Sequence, residues 1–247
     1  MPKGSAFMPT KTNPFAALFW LLTAGLFAAG VAIVFLWTPS LAPNDSGGEA
    51  QKIFYLHLPV AINSFLACLI NFIACVGYLS KRRQIWDDLA QAAAQVAVLL
   101  LSVVLLTGMI WGKSAWGHWW TWWSQRLTLS LVLWLLYVVY LVLRQSIPSA
   151  QRCAVVAAVY GSVAFLDVPL VYLSTRLMKD VVHPKSAGLD PDMKITLAFW
   201  FIPVTLFTLG LIRARYNTLV RRSQTQAALR AAENEPSLSV SRPGGVM

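Results

Sequence analysis

The chain has 247 residues, of which 12% are charged and 57% apolar, whereas a soluble globular domain carries about 25% charge. A water-soluble globule of this length cannot hide so much apolar surface, so the composition excludes an ordinary soluble protein and makes the lipid bilayer the expected solvent. The net charge of +10, from 20 basic and 10 acidic residues, lies between apolar runs, where it sets orientation across a membrane rather than forming a nucleic-acid face.

Six apolar runs are long enough to cross a hydrocarbon core of about 30 Å. In chain order they cover residues 15–37, 53–79, 89–111, 127–143, 153–174 and 195–212. The pattern predicts an all-α, polytopic membrane protein: an amino tail at 1–14, a six-helix membrane domain at 15–212, and a carboxyl tail at 213–247. The first run carries no charge, exceeds a signal-peptide core in length and has no small-residue cleavage site after it, so it reads as a retained helix. Six spans put both tails on one side. That side, with the loops at 80–89 and 144–152, holds 13 Lys/Arg against 7 on the other and 4 acidic residues against 6. The positive-inside rule therefore makes the tails cytoplasmic. The carboxyl tail opens with Arg213, Arg215, Arg221 and Arg222, which suit lipid headgroups, and its end at Pro243-Gly244-Gly245 reads as disorder.

Six of the 11 tryptophans fall between Trp111 and Trp123: Trp111, Trp116, Trp119, Trp120, Trp122 and Trp123. On a helical wheel of about 100° per residue, Trp116, Trp119, Trp120 and Trp123 share one face. An interfacial belt asks for one or two tryptophans at a helix end. The surplus in this external loop, at 111–126, suits a shelf for a flat aromatic ligand. All three histidines lie at the same external depth: His57 at the mouth of the second span, His118 inside the tryptophan loop, and His183 after the fifth span. Two neutral imidazoles from different segments, with an aromatic platform between them, fit the two faces of a heme iron. Heme propionates need cations, and Lys113, Arg126, Arg176, Lys179 and Lys185 all lie on the external side. Asp167, before Pro169 in the outer half of the fifth span, lines the pocket or faces a water-filled crevice where the proline loosens the helix.

Other chemistries fit poorly. Three widely spaced histidines without His-x-x-x-His make a poor zinc site. Cys68, Cys75 and Cys153 sit in or at the edge of apolar runs and form no disulfide framework. Without a Cys-x-x-Cys-His the chain does not attach heme covalently to itself. Gly112-Lys113-Ser114 ends like a phosphate loop but has Thr107 where the pattern requires glycine and no strand before it, so any ATP-driven step belongs to a partner.

Together, Tyr55-Leu56-His57-Leu58-Pro59, the run from Trp111 to Trp122, Arg126-Leu127-Thr128, and the stretch from Val168-Pro169 to His183 resemble the heme exporter protein C family of the cytochrome c maturation system. The resemblance covers about residues 53–212 and implies His57 and His183 as axial ligands, with Trp111, Trp116, Trp119, Trp120 and Trp122 as the platform. Heme, as heme b bound transiently, would be held at the periplasmic face of a bacterial inner membrane and passed to a membrane-tethered heme chaperone. ABC-transporter subunits and a small single-span helper protein are the other implied partners; no enzymatic role is implied. The loop departs from the family's usual Trp-x-Trp-Asp: Trp123-Ser124-Gln125 lacks the acid and is one residue longer. His118 is an alternative ligand. Two rival functions are an electron-transfer membrane cytochrome, whose paired histidines usually lie within the bilayer, and a solute transporter with Asp167 as coupling acid.

Overall fold

The computed structural model describes residues 14–40, 48–177 and 189–234. In order they form α1 (Pro14–Leu36), a 3₁₀ turn (Gly48–Ile53), α2 (Phe54–Lys81), α3 (Gln84–Trp116), α4 (Gln125–Ser146), α5 (Ala150–Ala164), α6 (Asp167–Leu177) and α7 (Pro191–Asn234). There is no strand among the described residues, and six helical segments are long and apolar enough to cross a membrane. The all-α, six-span expectation matches this architecture.

The fifth span is broken. Pro169 has no N–H to donate to the Phe165 carbonyl four residues earlier, and the chain tightens there instead. The amides of Leu166 and Val168 bond the carbonyls of Val163 and Phe165 at 3.0 Å each, which separates α5 from α6. Two helices outrun their predicted spans. α3 continues through Gly108 and Gly112 to Trp116 and ends where Gly117 turns left-handed. α7 is 44 residues long, about 66 Å by helical rise, more than twice the hydrocarbon core. Residues 213–234, read from sequence as the start of a tail, continue α7 because they are rich in Arg, Gln and Ala and contain neither Gly nor Pro. The tail's end at Pro243-Gly244-Gly245 lies outside the described residues, as do residues 1–13, 41–47 and 178–188.

α2 is the central helix, packed against α3, α5 and α7, while α1 lies on α7 and α4 contacts α3, α5 and α6. Small side chains allow this approach, as in other membrane bundles: Ala67, Ala74, Ala90, Ala94, Ala157 and Ala158 are buried. At Gly161 of α5 an added Cβ would stand 2.7 Å from Cys75 Sγ and 3.0 Å from Tyr140. Only glycine lets α5 reach both neighbours.

The bundle has two distinct ends. At one, the end of α1 meets the start of α7 through Thr38 and Thr196, whose hydroxyls are 2.8 Å apart, and the start of α2 meets the last turns of α3 through His57 and Thr107. At the other, the α2–α3 turn closes on Arg82, whose left-handed backbone (φ 52°) directs its N–H to the Tyr78 carbonyl. Arg144 of α4 grips Asp87 of α3 there at 2.6 and 2.7 Å.

Candidate heme site at the tryptophan end

His57 occupies the first turn of α2. Its Nδ1 lies 2.8 Å from Thr107 Oγ1 on α3, and a Cβ at Gly108 would touch its Cε1 at 3.4 Å. Thr107 and Trp111 are one helical turn apart on the same face of α3, so the imidazole meets α3 one turn before the first tryptophan of the loop. The bond to Thr107 uses Nδ1 and not the other ring nitrogen, Nε2.

Above this point Gly117 ends α3 in a left-handed conformation (φ 77°), its N–H capping Lys113 O at 3.1 Å. Glycine adopts this geometry without steric cost. The Lys113 ammonium turns back to the Gly117 carbonyl at 3.0 Å. The loop then doubles over the helix end: a Cβ at Gly112 would press within 3.3 Å of both the His118 carbonyl and the Trp116 ring. Ser124, fully buried, begins α4 by accepting the Leu127 amide at 3.4 Å, and Thr128 ties its hydroxyl to the Trp122 carbonyl at 3.1 Å. The departing sequence Trp123-Ser124-Gln125 thus keeps a capping side chain at the helix start.

One sequence expectation fails here. Trp116, Trp119, Trp120 and Trp123 do not form a helical face, because the helix stops at Gly117, between the first and the rest. The aromatic surface is built by the loop instead. Trp111 and Trp116 meet edge to face with centroids 4.9 Å apart, as do Trp120 and Trp122 at 5.8 Å. Trp119, Trp122 and Trp123 are 55%, 69% and 66% exposed, a large apolar area to leave open. Beneath them Trp111 Nε1, Trp120 Nε1, Thr121 Oγ1 and Gln125 Oε1 are buried without a partner among the described residues.

Arg126, in the first turn of α4, is half-buried and close enough for its charge to act on His57. His118 is exposed on the loop. Asp167 is not part of this constellation: buried at the start of α6, it lies within electrostatic reach of Cys68, about 16 Å further along α2 than His57 by helical rise. Its Oδ2 has no partner among the described residues. His183, Lys179 and Lys185 lie outside the described residues. No group of three or more His, Cys, Asp or Glu side chains suited to a metal ion occurs among the described residues. Sequence reasoning overlooked Thr107, noticing it only as a missing glycine; its four-residue spacing from Trp111 was the available signal.

A family model described as heme exporter protein C matches residues 3–234, nearly the whole chain. The chain belongs to the heme exporter protein C family. Membership makes it a multi-span membrane component that handles heme in cytochrome c biogenesis. It is 31% identical over 222 residues to the heme exporter protein C of Bradyrhizobium diazoefficiens, covering 86% of this chain and 83% of the relative. The protein of that name from Paracoccus denitrificans is 29% identical, with 89% and 92% covered. That from Escherichia coli K12 is 28% identical, with 81% and 82% covered. The family match at residues 3–234 includes all six spans and the tryptophan loop.

Proposed function

We propose that the chain holds heme b at the periplasmic end of the bundle, between His57 and His183, on the shelf formed by Trp111, Trp116, Trp119, Trp120 and Trp122, and releases it to a membrane-tethered heme chaperone. The observation that carries this reading is the His57 ring, held through Nδ1 by Thr107 one helical turn before Trp111 on α3, which leaves Nε2 for a ligand. Three open indoles fit the apolar face of a porphyrin. The unpartnered Trp111 and Trp120 N–H groups and the Arg126 guanidinium fit its anionic propionates. Both tails are cytoplasmic, and the basic extension of α7 meets the inner-leaflet headgroups. The protein works beside ABC-transporter subunits and a small single-span helper, which supply any ATP-driven step. Asp167, far from His57 along α2, serves the bundle rather than the heme pocket.

The test is the absorption spectrum of detergent-purified protein with and without added heme. His57→Ala and His183→Ala should each retain some heme with an altered spectrum, because the remaining ligand and the aromatic shelf still hold it. Added imidazole should restore the missing ligand, and the double variant should be nearly empty. An unaltered bis-imidazole spectrum in His57→Ala would sink the assignment. Orientation is checked by impermeant thiol labelling in intact cells: Trp116→Cys should react, and Arg222→Cys only after lysis.

A further inference from the structure

We infer that Thr107 is a positioning residue that fixes the tautomer of His57, placing the proton on Nδ1 and presenting a bare Nε2 lone pair toward the tryptophan shelf. The inference rests on the reading of His57 as a heme ligand and adds to it a residue on a different helix that makes the ring ready to bind.

The argument is a count of donors and acceptors. Thr107 has one hydroxyl proton, and its Oγ1 lies 2.7 Å from the Val103 carbonyl and 3.2 Å from the Val104 carbonyl, neither of which can donate. With the proton directed to Val103, Oγ1 has lone pairs left, and His57 Nδ1 stands 2.8 Å away. A neutral imidazole carries one N–H. If that hydrogen is on Nδ1, two hydrogen bonds form in series, from Nδ1–H to Oγ1 and from Oγ1–H to the Val103 carbonyl. If it is on Nε2, the hydroxyl must turn to donate to Nδ1. The bond to Val103 is then lost, and one hydrogen bond remains where the first arrangement makes two. The arrangement that makes both bonds in series prevails over the one that makes a single bond. Gly108 completes the mount by letting the ring edge lie against α3, where a Cβ would touch Cε1.

A ligating histidine held through its other nitrogen is oriented before the metal arrives, and loss of such a partner typically weakens retention about 10–100-fold. Thr107→Val keeps the shape and removes the hydroxyl; Thr107→Ser restores it. Transfer of heme from the loaded, detergent-purified protein to apomyoglobin is expected to be about 10–100-fold faster for Thr107→Val, with the reduction potential of the bound heme shifted upward and Thr107→Ser close to wild type in both. Nitrogen-15 spectra of histidine-labelled heme-free wild-type protein test the tautomer without any variant: the His57 signals, assigned by their loss in His57→Ala, should show a protonated Nδ1 and an unprotonated Nε2. The reverse pattern overturns the inference. So does a Thr107→Val protein with wild-type transfer rate and potential in a background where His57→Ala changes the heme spectrum. If His57→Ala leaves that spectrum unchanged, the ligand reading itself has failed, and this inference with it.

Discussion

At the end of the bundle formed by the α2–α3 and α4–α5 turns, Arg144 makes two bonds to Asp87 and one to Gln91 at 3.2 Å. Gln84 reaches both Asp87 and Asp88, Arg215 of α7 bonds Gln95 of α3 at 2.9 Å, and the Cys153 thiol donates to the Arg144 carbonyl. Trp86 Nε1 and the Tyr140 hydroxyl are exceptions to this pairing. At the tryptophan end, four buried polar atoms between Trp111 and Gln125 lack partners among the described residues while three indoles stand open to the surroundings. A buried polar atom left unpaired costs about 1–3 kcal/mol, and exposed aromatic rings forgo burial. One end is arranged for cohesion between helices, whereas the other gives up stability and retains groups that a flat, anionic-edged molecule satisfies.

The largest expected effect belongs to the cohesive end. Asp87→Ala leaves the Arg144 guanidinium buried without its counterion, and breaking such a pair costs about 3–5 kcal/mol. Thermal unfolding in detergent should show the loss, while heme retained per folded molecule stays level. If heme falls in step with stability, the two ends are not separable and the contrast is wrong. Next in size is the shelf itself. Replacing Trp119 and Trp120 together with Ala removes two aromatic contacts of about 0.5–1.5 kcal/mol each, so heme retention should drop at least several-fold with membrane-inserted protein unchanged. Unchanged heme content would reduce these tryptophans to an interfacial belt.

A finer test removes only a hydrogen. Trp111→Phe keeps a ring but deletes an N–H without a partner among the described residues, so stability should hold or rise slightly, while heme retention loses about 0.5–1.5 kcal/mol. Isothermal or spectroscopic heme titration compares it with wild type; equal affinity would mean that the buried indole N–H faces no ligand. The smallest effect is expected for His118→Ala. Its exposed ring is not needed by the His57 arrangement, and the bis-imidazole spectrum should persist. Loss of that spectrum in His118→Ala, with its retention in His57→Ala, would move the ligand into the loop.

The number and order of the spans were legible because each carries about 20 uninterrupted apolar residues, a signal that depends on composition alone. His57 and the tryptophan loop were legible for a related reason: polar and aromatic residues are conspicuous against that background, and six tryptophans in thirteen residues make a specific motif. The weakening of the fifth span could likewise be read from Pro169, since the missing N–H is a local property. Helix ends were harder. Predicted boundaries followed hydropathy, but hydrogen bonding continues through polar residues, so α3 ran on to Trp116 and α7 to Asn234. The aromatic wheel failed because periodicity assumes continuous helix, and Gly117 ended it. The spacing of Thr107 from Trp111 marks the residue but does not pair it with His57: the two are fifty positions apart, and the 2.8 Å contact exists only because α2 and α3 pack side by side. Chain-local chemistry determined where the helices lie and which residues are unusual. Only the packing of helices against one another decided which polar atoms found partners, because a hydrogen bond between helices depends on their register and rotation, and neither is encoded in a single run of residues.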